Sequence, residues 1–334
     1  MKILKKSEFE LMENIFSLTQ EQLKSTMTKF LKTKYDTVVE TDDYVYAIGD
    51  IPVALVAHLD TVFSAPPKEL FYDAQKGVIF TPNGLGADDR AGVYSIVSII
   101  KDGYRPHIIF TTEEESGCIG AAALSKIDCP FSKLNFIIEL DRRGDCDCVF
   151  YDCENSEFTN YIQSFGFIEA YGTFSDICEL CPSWGIAGVN LSVGYRNEHT
   201  YSEVLHTSPL LATISKVKNI LKDTSITTPF KYIPSTSWYG AYGYNWMKNT
   251  SAAKSGSYDN FCKCGKCGGL CYVDETIDVI MKNGKTAPVC YDCLTKEIDW
   301  CSICSKAYEV DDTNQEFVCA ECKKKIENGE EIKQ

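Results

Sequence analysis

The chain of 334 residues has no apolar run long enough to cross a bilayer, no long apolar stretch near its beginning and no excess of positive charge. A transmembrane helix needs about 18 or more consecutive apolar residues, so none is expected. The opening sequence MKILKKSEFELMENIF lacks the apolar centre of an export signal. The formal net charge of −14 disfavours nucleic acid as a partner. We therefore expect a cytoplasmic globular protein that binds neither membranes nor nucleic acid.

Cysteine is abundant but unevenly placed. Ten of the 17 cysteines lie between Cys262 and Cys322, and eight of these ten form four C-x-x-C pairs. Without an export signal, this pattern is typical of metal binding in a reducing compartment rather than of disulfides. The other seven, from Cys118 to Cys181, are scattered and are expected to be small buried or surface thiols.

The hydrophobic pattern predicts a helical N-terminus over residues 7–33, because apolar residues recur there at three- and four-residue steps. Short apolar strands then alternate with amphipathic helices. This alternation predicts an α/β fold with a mainly parallel, mixed sheet and helices on both faces. The strands are predicted at 37–40, 44–48, 53–57, 107–111, 136–140 and 187–193, and the helices at 90–101, 119–126, 157–165, 176–181 and 209–222.

Polar residues that can bind metals follow the apolar strands at five places. Because parallel strands place their carboxyl ends at one edge of the sheet, these residues are expected to meet there. Unpaired charges at a buried edge are costly, and cations would neutralise them. Two divalent metals that share a bridging carboxylate need further imidazole or carboxylate ligands, which suit zinc. The residues are His58 and Asp60, Asp88 and Asp89, the glutamates 113–115, Asp141, and His199 with Glu203.

Five motifs in order, "AHLDT", "GADDRAG", "TEEESG", "ELD" and "EHTYSE", resemble the two-zinc exopeptidases. That superfamily includes zinc aminopeptidases, peptidase T, glutamate carboxypeptidase and aminoacylases. The resemblance covers roughly residues 45–225. It implies a phosphorylase/hydrolase-like fold and hydrolysis of a peptide bond by a metal-bridging hydroxide at two catalytic zinc ions, with manganese or cobalt as alternatives.

The same resemblance implies a ligand set. Asp88 would bridge both metals, His58 and Asp141 would complete one site, and Glu115 and His199 would complete the other. His206 is the competing second histidine, but only "HTYSE" around His199 matches the family's His-Thr-x-x-acid pattern. His107 opens a strand and is expected to be structural.

Three further roles follow from the resemblance. Asp60 would orient the imidazole of His58, as second carboxylates commonly do around metal-bound histidine. Glu114 would be the general base. Asp89 would follow a cis peptide bond. Glu113 has no role in this pattern and is expected to cap the turn or bond a neighbour.

Plainer interpretations of these residues stay open on the sequence alone. His58 with Asp60 can form a buried hydrogen-bonded pair, and Asp88–Asp89 can cap a helix. Asp141 can form a salt bridge with the two arginines that follow it.

Candidates for the substrate pocket come from two loops, "GTFSDI" and "GYRNEH", which resemble cleft-lining loops of the family. They give Ser175, Asp176 and Tyr195, although Asp176 can instead cap the next helix. The 28 residues from Asp60 to Asp88 and the 58 from Asp141 to His199 leave no room for a substantial lid domain. An open site is therefore expected.

The C-terminal cysteines predict two structural zinc sites. Taken in order, the pairs are separated by 22 and 14 residues, as in zinc ribbons and treble clefs. A cross-braced pairing, participation of Cys262 or Cys271, and an iron–sulfur site are the alternatives. Residues 254–334 hold 11 Lys, no Arg and 15 Asp plus Glu, which favours a protein partner over DNA. The paired ligands are Cys264 and Cys267, Cys290 and Cys293, Cys301 and Cys304, and Cys319 and Cys322.

The sequence thus predicts a catalytic domain over 1–225 with a helical N-terminus over 1–35, a linker over 226–260, a double four-cysteine module over 261–326 and a tail over 327–334. The predicted function is a two-zinc exopeptidase, with an aminopeptidase favoured, acting on a peptide or small amide. A carboxypeptidase or a deacylase is the nearest alternative. An inactive adaptor that acts through its zinc module is the alternative from another class.

Overall fold

A computed structural model of the chain describes residues 4–235 and, beyond them, the segments 261–266, 270–272, 276–282, 285–290, 293, 298–300, 307–309 and 320–327. The chain divides into two compact units, Met1–Asn245 and Trp246–Gln334. In the described parts of the chain, no helix combines the length and the apolar character that crossing a bilayer requires.

The described part of the first unit alternates between strands and helices. Its helices are α1 (Lys6–Phe16), α2 (Gln20–Lys32), α3 (Ala87–Lys101), α4 (Ile119–Leu124), α5 (Ser156–Gln163), α6 (Ile177–Trp184) and α7 (Thr207–Lys222). Its strands are β1 (Thr37–Glu40), β2 (Tyr44–Ile48), β3 (Ile51–His58), β4 (Phe71–Asp73), β5 (Val78–Phe80), β6 (Pro106–Thr111), β7 (Phe136–Arg142), β8 (Asp147–Val149), β9 (Ile168–Glu169), β10 (Gly188–Ser192), β11 (Tyr195–Arg196) and β12 (Val204–His206).

The main sheet has eight strands in the order β1-β2-β6-β3-β7-β10-β8-β9. The four central strands, β6, β3, β7 and β10, run parallel to one another. On either side of them, β2 and β8 pair antiparallel. This mixed sheet with a parallel centre confirms the predicted fold class, and it brings the carboxyl ends of four strands to one edge.

Helices cover both faces of the main sheet. Successive side chains of a strand point to opposite faces, so Leu55 and Ile138 pack in a core with α1, α3 and α7. Their neighbours Val56 and Ile137 pack in a second core with α4 and α6. The central strands are apolar on both faces for this reason, which is the pattern of a covered parallel sheet.

The helix predicted over residues 7–33 is in fact two helices. The side chain of Thr19 accepts a hydrogen bond from the backbone N–H of Gln22 at 3.3 Å, and Oε1 of Gln22 accepts from the N–H of Thr19 at 3.1 Å. This reciprocal capping box begins a new helix, α2, at Gln20. The apolar spacing runs through the break because Leu18, in the turn, still packs against the core.

The first unit also contains a second, smaller sheet and a packed segment after α7, and neither was among the predicted strands. The strands β4, β5, β11 and β12 form a separate sheet in the order β11-β12-β5-β4, and each is too short to show a period of two. Residues 226–235, assigned from the sequence to a linker, pack on the first unit. Phe230 contacts the larger core, and Lys231 and Pro234 form β-bridges with Ile186 and Cys153.

The described part of the second unit consists of short strands and one helix. A hairpin pairs β13 and β14, and a separate sheet has the order β16-β15-β18-β17. The elements are β13 (Phe261–Lys263), β14 (Leu270–Tyr272), β15 (Thr276–Ile280), β16 (Thr286–Cys290), β17 (Ile298–Trp300), β18 (Ala307–Glu309) and α8 (Ala320–Glu327).

Candidate metal centre and active site

The ligands predicted from the sequence meet at the carboxyl edge of the central strands. His58 is the last residue of β3, and Asp141 is the penultimate residue of β7. Asp88 lies at the start of α3, Glu115 follows β6, and His199 lies between β11 and β12. The sheet therefore positions ligands that are far apart in sequence.

The carboxylate of Asp88 lies between the two histidines and presents one oxygen to each. Its Oδ1 is 3.0 Å from Nε2 of His58, and its Oδ2 is 3.2 Å from Nε2 of His199. Nε2 of His58 is also 3.5 Å from Oδ1 of Asp141. Nε2 of His199 is 3.1 and 3.0 Å from the two carboxylate oxygens of Glu115. Two triads thus share one aspartate, and the ligand atoms within each triad all lie within 4.8 Å of one another.

The charges of the two triads fit divalent cations. Burial, and then the charge of Asp88, raises the pKa of Asp141 to about 7 and also raises the pKa of Glu115. Burial opposes the charged form of His199, but hydrogen bonds with Asp88 and Glu115 raise its pKa to about 12. Three carboxylates this close repel one another, and a cation in each triad would stabilise their ionised forms. Two imidazoles and three carboxylates are ligands that zinc and similar metals bind.

Asp60 connects the two halves of the site. Its Oδ1 is 3.2 Å from Nδ1 of His58, and its two oxygens accept the backbone N–H groups of Glu114 and Glu115 at 3.1 and 3.0 Å. The buried pair of His58 and Asp60 therefore exists, and it leaves Nε2 of His58 directed at Asp88. Orientation of one ring nitrogen through the other is common around metal-bound histidine.

The three consecutive glutamates have different partners. Glu115 contacts His199, as described above. The carboxyl group of Glu114 accepts from Sγ of Cys118 at 3.4 Å. Burial, together with the charges of Asp141 and other acids, raises the pKa of Glu114 well above its usual range. Glu113 instead bonds Gln20 on α2 at 2.6 Å, so it turns away from the metal centre.

The peptide bond between Asp88 and Asp89 is cis, as the family resemblance implies. Oδ1 of Asp89 accepts the N–H of Gly92 at 2.8 Å, so Asp89 caps the helical part of α3. A Cβ at Gly92 would lie 2.1 Å from the carbonyl oxygen of Leu140, so glycine is needed there. The helix-capping interpretation therefore applies to Asp89 and leaves the carboxylate of Asp88 for the two histidines.

Two of the three residues suggested for a substrate pocket bond Asp141. Ser175 donates to Oδ2 of Asp141 at 3.2 Å, and the hydroxyl of Tyr195 donates to its Oδ1 at 3.2 Å. Asp176 occupies the N-cap position of α6, yet its side chain accepts from Thr111 and makes no capping bond. All three residues are buried, so they present almost no surface to solvent.

His206 lies apart from both triads. It is the last residue of β12, and its backbone N–H bonds the carbonyl of Gly194 at 2.8 Å. His199 reaches Asp88 from a backbone with φ of +62°. The arginines that follow Asp141 also have other partners: Arg142 donates to the carbonyl of Tyr171 at 2.9 Å.

Two residues support the site in ways that the sequence analysis did not predict, although it named Glu203 among the polar residues near the strand ends. The buried carboxylate of Glu203 accepts the backbone N–H groups of Gly86 at 2.6 Å and Asp88 at 3.1 Å, and it therefore fixes the loop that presents Asp88. Asn190 on β10 accepts the N–H of Asp141 at 3.0 Å. Glu203 closes the "EHTYSE" motif and was detectable, whereas Asn190 lies in an apolar strand that gives no such signal.

The second unit contains a cluster of thiols. Cys264, Cys290 and Cys293 place their sulfur atoms within 4.8 Å of one another. The backbone N–H of Cys290 donates to Sγ of Cys264 at 3.4 Å. Residues of the first two C-x-x-C pairs therefore come together. The sequence-predicted ligands Cys267, Cys301, Cys304 and Cys319 lie outside the described residues, and Cys322 is buried in α8.

No protein-family model and no curated protein matches the sequence. Solved structures do share its fold. A tripeptidase from Staphylococcus aureus matches with a TM-score of 0.52 at 17% identity, and aminopeptidase PepT from Bacillus cereus matches with 0.51 at 17% identity. A TET aminopeptidase from a marine-sediment thaumarchaeon gives 0.54 at 12% identity. Each match covers 66% of this chain and 98% of the other.

These matches define the architecture of the chain. It is the α/β fold that aminopeptidases and a tripeptidase share. Identities of 12–17% establish a common fold and leave the activity to be argued from the residues of the site.

Proposed function

We propose that this chain is a metal-dependent aminopeptidase with a dinuclear centre. The observation that carries the proposal is the carboxylate of Asp88, which presents one oxygen to His58 and the other to His199. A bridging carboxylate with an imidazole and a further carboxylate on each side is the arrangement that two neighbouring cations require. The fold shared with aminopeptidases supports this assignment.

Each residue has a definite task in this proposal. His58 and Asp141 would hold one cation with Asp88, and Glu115 and His199 would hold the other with the same aspartate. When bound, the cations supply Lewis acidity that polarises a carbonyl and makes water more acidic. The side chain of Asp60 keeps the ring of His58 in position through Nδ1.

Glu114 is the proposed proton acceptor. Its raised pKa suits a carboxyl group that takes a proton from water and returns it to the leaving amine. The backbone N–H groups of Glu114 and Glu115 both donate to Asp60 and hold the main chain at Glu114 in place. The carboxyl group of Glu114 can therefore change protonation without a movement of the main chain.

Replacement of Glu114 tests this function directly. Glu114→Gln keeps the shape of the side chain but removes the base. We expect it to retain its bound metals and to lose about 100-fold or more in kcat. Glu113→Gln is the matched control because that side chain turns toward Gln20, and it should lose far less. Full activity in Glu114→Gln would contradict the mechanism.

A substrate panel decides which end of the peptide is cleaved. Peptides with a free amino terminus should be hydrolysed, and N-acetylated forms of the same peptides should not. Preferential cleavage of N-acyl amino acids would instead identify a deacylase, and release of the C-terminal residue would identify a carboxypeptidase.

The cysteine region is proposed to bind structural zinc. The three clustered sulfur atoms of Cys264, Cys290 and Cys293 support one such site, with Cys267 as the predicted fourth ligand. A second zinc on the remaining pairs, a protein partner for this region and a cytoplasmic location remain proposals from the sequence.

A further inference from the structure

The backbone of Glu113 adopts an unusual conformation beside the metal centre. Its φ is +55°, in the left-handed region that L-residues with a Cβ rarely occupy. This conformation costs about 1–2 kcal/mol for a residue other than glycine. Such residues persist where surrounding contacts hold them, and they concentrate at functional sites.

The left-handed turn at Glu113 sets the direction of the next two residues. Immediately after it, the N–H groups of Glu114 and Glu115 both point at the carboxylate of Asp60, at 3.1 and 3.0 Å. The carbonyl of Glu113 accepts the N–H of Ile119 at 3.1 Å at the start of α4. The conformation of residue 113 therefore determines where the proposed base and a proposed ligand lie.

Gln20 holds Glu113 through both ends of its amide. Nε2 of Gln20 donates to Oε1 of Glu113 at 2.6 Å, and Oε1 of Gln20 accepts the backbone N–H of Glu113 at 3.1 Å. The amide thus fixes the side chain and the main chain of the same strained residue. The hydroxyl of Ser116, which is exposed, donates to the other carboxylate oxygen of Glu113 at 3.0 Å.

Gln20 is itself anchored to the site by a second route. It is the first residue of α2 and follows the α1–α2 turn. The buried guanidinium group of Arg90 donates to the carbonyl of Leu18 in that turn at 3.0 Å, and also to the carbonyl of Leu59. Leu59 lies between His58 and Asp60. The turn that carries Gln20 is therefore tied to the other ligand segment.

We propose that Gln20 is a positioning residue that places the carboxyl groups of Glu114 and Glu115 by holding Glu113 in its left-handed conformation. This role rests on the function proposed for the site. It gives the first residue of α2 a positioning role at the site, and it gives Glu113 a task distinct from those of its two neighbours.

The test exploits the reciprocal geometry of the pair. In Gln20→Glu, a carboxylate faces the carboxylate of Glu113 and the donor at position 20 is lost. We expect kcat to fall about tenfold, since a hydrogen bond to a charged group has roughly that value. KM should change less than about twofold, because Gln20 bonds Glu113, whose side chain turns away from the metal centre. The thermal midpoint, measured in parallel, reports any general loss of folding.

The double variant Gln20→Glu/Glu113→Gln restores complementarity. The new amide at position 113 can donate to the new carboxylate at 20, which can still accept the N–H of residue 113. Recovery of kcat to within about threefold of the parent supports the proposal. Ser116→Ala, which removes the exposed bond to the same carboxylate, is the control and should retain most activity.

Two readouts separate this proposal from the peptidase assignment. Cobalt titration of the full chain after removal of bound metal measures the metal affinity of the chain whether or not peptides are cleaved. We expect Gln20→Glu to weaken that affinity and the double variant to restore it. Unchanged cobalt affinity and unchanged kcat in Gln20→Glu, or no recovery in the double variant, would overturn the role of Gln20. Restored cobalt affinity in a chain that cleaves no peptide would contradict only the peptidase function.

Discussion

At the scale of the residue, the site depends on carboxylates that contact two or more partners at the same time. Asp88 gives one oxygen to each histidine, and Asp60 bonds His58 and two backbone N–H groups. His199 reaches its place from a left-handed backbone. Each of these residues joins segments that are distant in sequence, so the loss of one disturbs several contacts.

The choice between the two neighbouring histidines gives a prediction at this scale. His199→Ala removes a ligand of one triad, so we expect it to lose one metal ion and most activity. His206→Ala changes a side chain at the end of β12, outside both triads, and should keep both. Metal analysis of the two purified variants decides the matter. Loss of a metal in His206→Ala alone would show that the ligand is misassigned.

At the scale of the element, the parallel centre of the sheet is the part that the sequence predicted most accurately. The predicted strands at 37–40 and 44–48 coincide with β1 and β2, and the four central strands agree with prediction within two residues at each end. They were predictable because they are apolar on both faces. The break between α1 and α2 was missed, since a capping box interrupts a helix without interrupting its apolar spacing.

The histidine near the start of β6 gives a pH-dependent prediction. Nε2 of His107 lies 2.8 Å from the carbonyl of Lys133, and Nδ1 accepts the N–H of Gly49 at 3.1 Å. Nε2–H donates to the carbonyl in either protonation state, but Nδ1 can accept the N–H of Gly49 only in the neutral ring, and burial lowers the pKa of His107 below its usual value. Its stabilising effect is therefore present above the unfolded pKa of about 6.5 and is lost as the pH falls.

Chemical unfolding at several pH values checks this expectation. His107→Gln should cost about 1 kcal/mol near pH 7.5, where one hydrogen bond is lost. The deficit relative to the parent should shrink as the pH falls toward 5, because only the parent has a proton to take up at this site. A deficit that stays constant or grows on acidification would contradict the neutral ring.

At the scale of the whole molecule, the two units differ in the candidate metal ligands that their described residues bring together. Oxygen and nitrogen ligands converge in the first unit, and sulfur ligands converge in the second. Hard and soft ligand sets select metals differently. The described residues thus support two kinds of site in one chain.

Elemental analysis of the intact chain tests that division. Two ions in the triads and two among the cysteines would give about four metals per chain. Cys290→Ser should lower the content by about one, because Cys290 belongs to the sulfur cluster. Cys129→Ser, in the first unit and outside that cluster, should leave the content unchanged. An unchanged content in Cys290→Ser would exclude that thiol as a ligand.

The sequence by itself determined the candidate ligands of this protein: their residue types, their order along the chain and the apolar strands that carry them. Periodicity and motif spacing are local properties, and they can be read without knowing which segments touch. Only the tertiary structure decided that Asp88 faces both histidines, that Glu203 holds its loop and that Glu113 bonds Gln20. Gln20 and Glu113 lie 93 residues apart, and no local pattern reports a contact of that separation. Burial and strand pairing bring such residues together, and the energy of those contacts depends on the whole fold.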